Sequence, residues 1–361
     1  MVEVAVSPLG RALDGLARPG ELWATEADGR VRCVACGHRC LLGPSRRGIC
    51  QVRFNRDGQL MVPSGYVGAL QCDPVEKKPF FHVLPGTAAL TFGMLGCDLH
   101  CAYCQNWITS QALRDPAAGT AATEVRPEQL AQLAAHYGAR IIASSYNEPL
   151  ITAEWAHEVF RFARPLGLRT AFVSNGNATP EVLDYLRPLV DCYKVDLKSM
   201  RDRAYRQLGG VLRNILDTLT RLVALGFWVE VVTLLIPDFN DSEAELRDAA
   251  HFLAQLSPDI PWHITAFHAD YKMRAAGDTT AEMLVHACEI GREAGLRYVY
   301  AGNLPGQTGR WEHTYCPHCD ELLIKRRGFL VLRNTLAGPT CPRCGNTIAG
   351  VWEASRQEPA A

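Results

Sequence analysis

The chain has 361 residues, 48% hydrophobic and 21% charged, enough to bury a sizeable core and to fill two or three domains or one α/β barrel with additions. Its 37 Lys and Arg nearly balance 38 Asp and Glu, so a formal charge of −1 excludes a global electrostatic footprint for nucleic acid or an anionic membrane. No run reaches the roughly 18 apolar residues of a membrane span, and residues 1–20 lack a basic start followed by an apolar run, so the expected location is cytoplasmic. In a reducing compartment the 14 cysteines, most of them in close-spaced clusters, point to metal or redox chemistry rather than disulfides.

In chain order, Cys33, Cys36, Cys40 and Cys50 come first, in a Gly-, Pro- and Arg-containing segment too polar and short to own a core, which a bound metal would stabilise. They suit a zinc or other structural metal site, with His38 as a possible substitute ligand, or an auxiliary iron–sulfur cluster, or free thiols. The stretch 73–82, with Glu76, Lys77 and Lys78, reads as a linker wrapping the central domain. From residue 88, apolar strand-like runs alternate with helical patterns every 30 residues or so, the βα signature of a parallel sheet. Strands are expected at 88–94, 140–145, 169–174, 192–197, 228–236, 263–267 and 297–301. Helices are expected at 127–137, 152–165, 180–189, 211–225, 242–256 and 280–294, with Pro127 and Pro180 as start signals. These units are too few for an eight-stranded barrel and enough for a partial one, whose sites lie at the C-terminal ends of the strands.

The rhythm stops after Gly302. Cys316-x2-Cys319 and Cys341-x2-Cys344 then read as the two knuckles of a zinc ribbon, with a rubredoxin-like iron site the alternative at the same spacing. The basic residues 325–327 between them read as a solvated face or a weak partner patch. The expected domains are therefore a Cys-rich module and linker at 1–85, a partial barrel at 86–303 and a ribbon-like module with a tail at 304–361. Cys72, Cys192 and Cys288 stand alone and read as small buried hydrophobes.

The sharpest signal is Cys97-x3-Cys101-x2-Cys104, directly after the first barrel strand. Three thiolates on one tight loop can hold three corners of a cubane iron–sulfur cluster and leave one iron open, whereas structural zinc closes its shell with four ligands. At these residues the sequence resembles the radical S-adenosylmethionine (radical SAM) superfamily. The resemblance implies an α/β fold of the partial (βα)6 type, a [4Fe–4S] cluster on Cys97, Cys101 and Cys104, and SAM chelated by the open iron. It further implies reductive cleavage of SAM to methionine and a 5′-deoxyadenosyl radical, with an aromatic, here Tyr103, beside the last cysteine.

At the other strand ends, Asn147 and Glu148 occupy the place of the superfamily's segment that holds the SAM amino group, although its glycines are replaced; Glu148 could instead complement a helix N-terminus. Ser174 and Asn175 suit a carboxylate or ribose, or simply a turn. Asp196-Leu-Lys198, preceded by Lys194, resembles an element of glycyl-radical-enzyme activases that lies over SAM, the alternative being a plain salt bridge. The same resemblance suggests His263 near the SAM ribose or substrate, with His268 as its rival.

Nearly the full length resembles one branch, the radical SAM enzymes of the AmmeMemoRadiSam system, related to pyruvate formate-lyase activating enzymes. The carrying residues are the Cys33–Cys50 block, Asp73-Pro-Val-Glu-Lys-Lys-Pro, Cys104-Gln-Asn, Gly302-Asn-Leu-Pro-Gly and Thr314-Tyr-Cys-Pro-His-Cys. It implies hydrogen abstraction from an unidentified substrate, a flavodoxin or ferredoxin electron donor, and Memo-like and AMMECR-like proteins as candidate partners. Glycyl-radical activation and a catalytically inactive metal-bearing adaptor are the alternatives.

Overall fold

The computed structural model describes residues 7–274 and 277–353. Its centre is one eight-stranded sheet in which strands adjacent in sequence are adjacent in space: β1 (Ala69–Pro74), β2 (Ala88–Gly93), β3 (Ile141–Ser144), β4 (Arg169–Ser174), β5 (Cys192–Asp196), β6 (Trp228–Leu235), β7 (Trp262–Ala266) and β8 (Val299–Gly302). β2 to β8 run parallel, and β1 pairs antiparallel to β2. The seven parallel strands are those expected from the sequence, and the mixed α/β partial barrel results from their order.

The connections are α1 (Pro127–His136), α2 (Ala153–Ala163), α3 (Pro180–Leu186), α4 (Asp202–Leu208), α5 (Leu212–Ala224), α6 (Glu243–Leu256) and α7 (Ala281–Glu293). Pro180 opens α3 at a position whose N–H needs no partner, while Thr179 Oγ1 accepts from Val182 N at 3.2 Å. α5 buries Ile215, Thr218, Leu219 and Leu222, one face at helical spacing. α4 is an addition the periodicity did not signal. It is a seven-residue turn, too short to display a stripe, and it stops at Gly209 with φ of +86°.

Within the strands, period-two alternation sends one set of side chains inward. At one end of the interior that set is small or apolar: Ala89, Ile141, Ala143, Ala171 and Cys192. Val75, Phe80, Val83 and Leu84, all buried, pack on them. The stretch read as a wrapping linker therefore plugs the barrel, and β1, just before it, completes the sheet. Cys192 and Cys288 are buried as expected; Cys72, on the edge strand β1, is exposed. An edge strand has one side without a neighbour, and its pattern gives no sign of which residues are covered.

The C-terminal segment forms an antiparallel ribbon of β9 (Thr314–Tyr315), β10 (Leu322–Arg327) and β11 (Leu330–Asn334). It ties the edge strand β8 to the plug. Tyr300 Oη meets Thr314 Oγ1 at 2.9 Å, Arg326 Nη2 donates to Phe81 O at 2.8 Å, and Val351 exchanges backbone bonds with His82 and Leu84. At the other end, the N-terminal module docks through Arg53, whose guanidinium grips the Glu154 carboxylate with two 2.7 Å bonds, both side chains buried. Among the described residues no helix is long and apolar enough to cross a membrane.

Candidate functional site

A tight approach sets the cysteine loop at the end of β2. A Cβ on Gly93 would lie 2.4 Å from Ser145 O, so only glycine lets the loop start this close to the end of β3. The loop then brings Cys97, Cys101 and Cys104 into one apolar cluster with Leu99, Tyr103, Leu208, Ile236 and Phe267. Leu99 N donates to Cys97 Sγ at 3.3 Å, and Cys104 Sγ lies 3.2 Å from Ser110 Oγ. Burial pushes all three thiols up, Cys101 to about 12 despite the opposing charge of Lys198. Such thiols ionise at neutral pH only if a cation takes the proton's place. Three loop sulfurs in an apolar shell, Cys101 buried and Cys97 and Cys104 half-buried, fit a [4Fe–4S] cluster with three protein ligands.

Cys101 and Cys104 open onto a cavity of about 380 Å³ inside the barrel, above the plug. Tyr103 lines it and packs edge-on against Phe239, ring centroids 5.7 Å apart. β5 contributes Lys194 and Asp196, two residues apart and so on one face, and Lys198 comes just after. Both lysines hydrogen-bond the Asp196 carboxylate, Lys198 at 3.1 Å. Burial would raise the Asp196 carboxyl, but the two ammonium groups outweigh it and hold it near 2, while Asp196 keeps Lys198 charged against its own burial. The site thus presents a fixed carboxylate flanked by two cations.

His263 also faces the cavity. Its Nε2 donates to Glu230 Oε2 at 2.6 Å, and its ring stacks on Tyr300 at 5.1 Å. Burial lowers its pKa more than Glu230 raises it, so the ring is neutral at pH 7. Glu230 is saturated, accepting also from Phe81 N, His82 N and Trp228 Nε1. His268 lies outside this group, bonded to Gln105 at 3.1 Å.

Asn147, Glu148, Ser174 and Asn175 occupy a different layer, in a buried network beneath the cysteine loop. Glu148 Oε1 accepts from Ser174 Oγ at 2.7 Å and Leu150 N at 3.1 Å, and its Oε2 accepts from Asn175 N at 2.8 Å. Asn147 Oδ1 accepts from Met94 N at 2.9 Å. Asp98, within the cysteine loop and fully buried, accepts from Asn175 Nδ2 and Asn177 Nδ2 at 2.7 and 2.8 Å. Burial, reinforced by Asp98, raises Glu148 to about 8, so it is mostly protonated at neutral pH. These groups hold the loop from below, and their hydrogen-bonding capacity is largely spent within the protein. Glu148 also caps the turn that leads into α2.

Sequence reasoning missed Asp98, Glu230, Lys78 and Phe329. The one available signal was an acidic residue between two ligand cysteines. Lys78 is buried on the plug, bonded to Asp73 and to Tyr146 Oη at 3.1 and 3.0 Å, and lines the cavity with Tyr146. Phe329, at the ribbon's hairpin turn, reaches the same cavity.

In the ribbon, Cys316, Cys319, Cys341 and Cys344 place their sulfurs within 4.8 Å of one another, with Cys316–Cys344 at 3.6 Å and Cys319–Cys341 at 3.8 Å. A tetrahedral ion with 2.3 Å metal–sulfur bonds has edges of about 3.8 Å, so the quartet fits one four-coordinate metal. In the N-terminal module, burial pushes the Cys36 and Cys50 thiols up, Cys50 to about 11, and the nearby Cys33 adds to both shifts. Burial also raises Cys40, with Cys33 adding to the shift.

A three-thiol loop at the mouth of a partial barrel, above a cavity lined by strand-end charges, defines a class, and comparison with known proteins gives the same one. The chain belongs to the radical SAM superfamily, whose family profile matches residues 92–253. That family implies SAM and a [4Fe–4S] cluster. The chain is 35% identical over 325 residues to the uncharacterized protein MJ0808 of Methanocaldococcus jannaschii, covering 89% of this chain and 96% of that one. It is 27% identical over 188 residues to the pyruvate formate-lyase 1-activating enzyme of Escherichia coli K12, covering 49% of this chain and 70% of the relative. Among solved structures, a radical SAM methyltransferase from Sphaerobacter thermophilus aligns with a TM-score of 0.47 at 15% identity, over 79% of this chain and 76% of that one.

Proposed function

We propose that this enzyme cleaves SAM reductively at a [4Fe–4S] cluster on Cys97, Cys101 and Cys104 and abstracts hydrogen from a substrate held in the barrel cavity. The observation that carries the reading is the shared cavity: two of the loop thiols and the Lys194–Asp196–Lys198 trio face the same 380 Å³ space. When bound, the cluster and SAM supply one-electron reduction of a sulfonium and the resulting 5′-deoxyadenosyl radical. The chain's part is to bind, orient and exclude water. Asp196 offers a fixed acceptor for an ammonium, and Lys194 and Lys198 offer donors for a carboxylate, the two charged groups of an amino acid moiety. Tyr103 offers an apolar face beside the loop. His263, neutral and oriented by Glu230, supplies a hydrogen-bonding edge for a ribose or substrate. Asn147, Glu148, Ser174 and Asn175 support the loop rather than the ligand.

The ribbon quartet holds zinc in this reading. The reductant is an external one-electron donor of the flavodoxin or ferredoxin type. Memo-like and AMMECR-like partners stay attached to the AmmeMemoRadiSam resemblance. A second reading, glycyl-radical activation, is favoured by the similarity to the pyruvate formate-lyase 1-activating enzyme, which covers 49% of the chain.

The test is SAM binding to anaerobically reconstituted protein, followed through the change SAM causes in the reduced cluster's electron paramagnetic resonance (EPR) spectrum. Asp196→Asn and Lys198→Met should each weaken binding tenfold or more, the worth of about one charge-assisted hydrogen bond, with cluster content unchanged. Undiminished binding in both would remove the trio from the SAM site.

A further inference from the structure

We infer that Asp98 is a fixed negative charge set against Cys97 that lowers the reduction potential of the cluster on the cysteine loop, an inference that rests on the cluster reading above. Three observations carry it. The first is contact: Asp98 is fully buried, and its Oδ1 lies 3.8 Å from the sulfur of Cys97, one of the three loop ligands. A carboxylate at this distance repels a thiolate. A loop that needed only an anchor would be held as well by a neutral amide or hydroxyl, without the cost of a buried charge.

The second observation is how that charge is kept. Oδ1 accepts from Asn175 Nδ2 at 2.7 Å and Oδ2 from Asn177 Nδ2 at 2.8 Å. Both amides are fixed with their N–H groups toward Asp98, since Asn175 Oδ1 accepts from Asn177 N at 2.8 Å and Asn177 Oδ1 from Asn214 Nδ2 at 3.2 Å. Gly37 of the N-terminal module leaves room for this arrangement, because a Cβ there would lie 2.3 Å from Asn177 Oδ1. The basic side chain beside Asp98 is His38, whose Nε2 bonds the Asp98 backbone oxygen at 3.1 Å and stands 3.9 Å from Oδ2. Neutral amides satisfy the oxygens and leave the charge in place, where a bonded lysine or arginine would cancel it.

The third is asymmetry across the loop. Beyond burial, the charge that acts most on Cys97 is that of Asp98, and the one that acts most on Cys101 and Cys104 is that of Lys198. Lys198 faces the cavity and is bonded to Asp196, so its charge is shared with a carboxylate; that of Asp98, in the layer beneath, is not shared with a bonded lysine or arginine. Cluster potentials follow net charge around the sulfurs, so an uncancelled carboxylate disfavours the added electron and makes the reduced cluster a stronger one-electron donor. The external donor still supplies the electron and the sulfonium still receives it. Asp98 itself exchanges neither proton nor electron.

The experiment is a redox titration of the anaerobically reconstituted full chain without SAM, following the EPR signal that the Cys97→Ala, Cys101→Ala, Cys104→Ala variant lacks. Asp98→Asn should keep the iron and sulfide content of wild type and raise the ratio of reduced to oxidised cluster at a fixed potential tenfold or more, about 59 mV for one electron. Asn177→Ala removes one bond to Asp98 but keeps its charge, so its ratio should stay close to that of wild type. A residue that only anchored the loop would make the two variants shift alike. Should Asp98→Asn lose iron, Asp98→Ser, which removes the charge and needs less room, carries the same expectation. The inference is overturned by an unchanged ratio in an uncharged variant that binds iron, by equal shifts in Asp98→Asn and Asn177→Ala, or by loss of iron from both uncharged variants with the circular dichroism of the fold intact. A wild type that assembles no cluster would instead count against the proposed function, so the two failures are distinguishable.

Discussion

Asp98 and Glu148 show how far a residue's role depends on what surrounds it. Two carboxyl groups share a dry layer under the cysteine loop, and burial with the neighbouring Asp98 lifts Glu148 from its usual 4.5 to about 8. A carboxyl raised on folding keeps its proton in the folded chain while the unfolded chain loses it. Stability conferred by Glu148 is therefore full below pH 4.5, declines as pH rises, and is gone above 8. In urea unfolding of the metal-free chain, wild type should lose on the order of a few kcal/mol relative to Glu148→Gln across that window. A constant difference between the two would contradict the assignment. The Arg53–Glu154 pair gives a second test. Arg53→Met leaves a buried carboxylate uncompensated and should cost about 3 kcal/mol or more by chemical denaturation, whereas an effect under about 1 kcal/mol would mean the pair is not buried in solution. Cysteine spacing made the loop legible because ligand geometry is local. Two of the partners of Glu148, Ser174 and Asn175, come from the end of β4, 26 and 27 residues away, so no local pattern displayed that its hydrogen-bonding capacity is already taken.

At the scale of elements, the seven parallel strands and six of the helices were legible because alternation and helical period record which faces are buried. The plug was not. Val75, Phe80, Val83 and Leu84 obey neither period, since they fit an irregular turn into a barrel interior left open by Ala89, Ala143 and Ala171. The hairpin of the ribbon was read as a basic, solvated face, yet Arg326 is fully buried, with its guanidinium 4.2 Å from the Phe81 ring and bonded to Thr314. Its charge faces Glu76 on the plug at 3.6 Å. Only the packing of β10 on the plug reveals that Arg326, alone in the basic run 325–327, points inward. Metal at the quartet should therefore hold the hairpin onto the barrel. Cys341→Ser should eliminate one equivalent of bound metal and raise the rate of proteolysis within residues 314–353, leaving cluster content unchanged. Unchanged proteolysis would show that the hairpin holds its place without the metal.

At the scale of the whole molecule, three cysteine groups are arranged around one barrel. The N-terminal module backs the cysteine loop, the loop roofs the cavity, and the ribbon ties the edge strand β8 to the plug and lends Phe329 to the cavity wall. The central claim is that the Cys97, Cys101 and Cys104 loop performs reductive SAM cleavage. It is tested most directly by anaerobic reconstitution with iron and sulfide, addition of SAM and dithionite, and chromatography for 5′-deoxyadenosine. Wild type should release 5′-deoxyadenosine and methionine in equal amounts, and the three-cysteine variant should release neither. Equal release from both proteins, or none from wild type carrying an intact cluster, would contradict it.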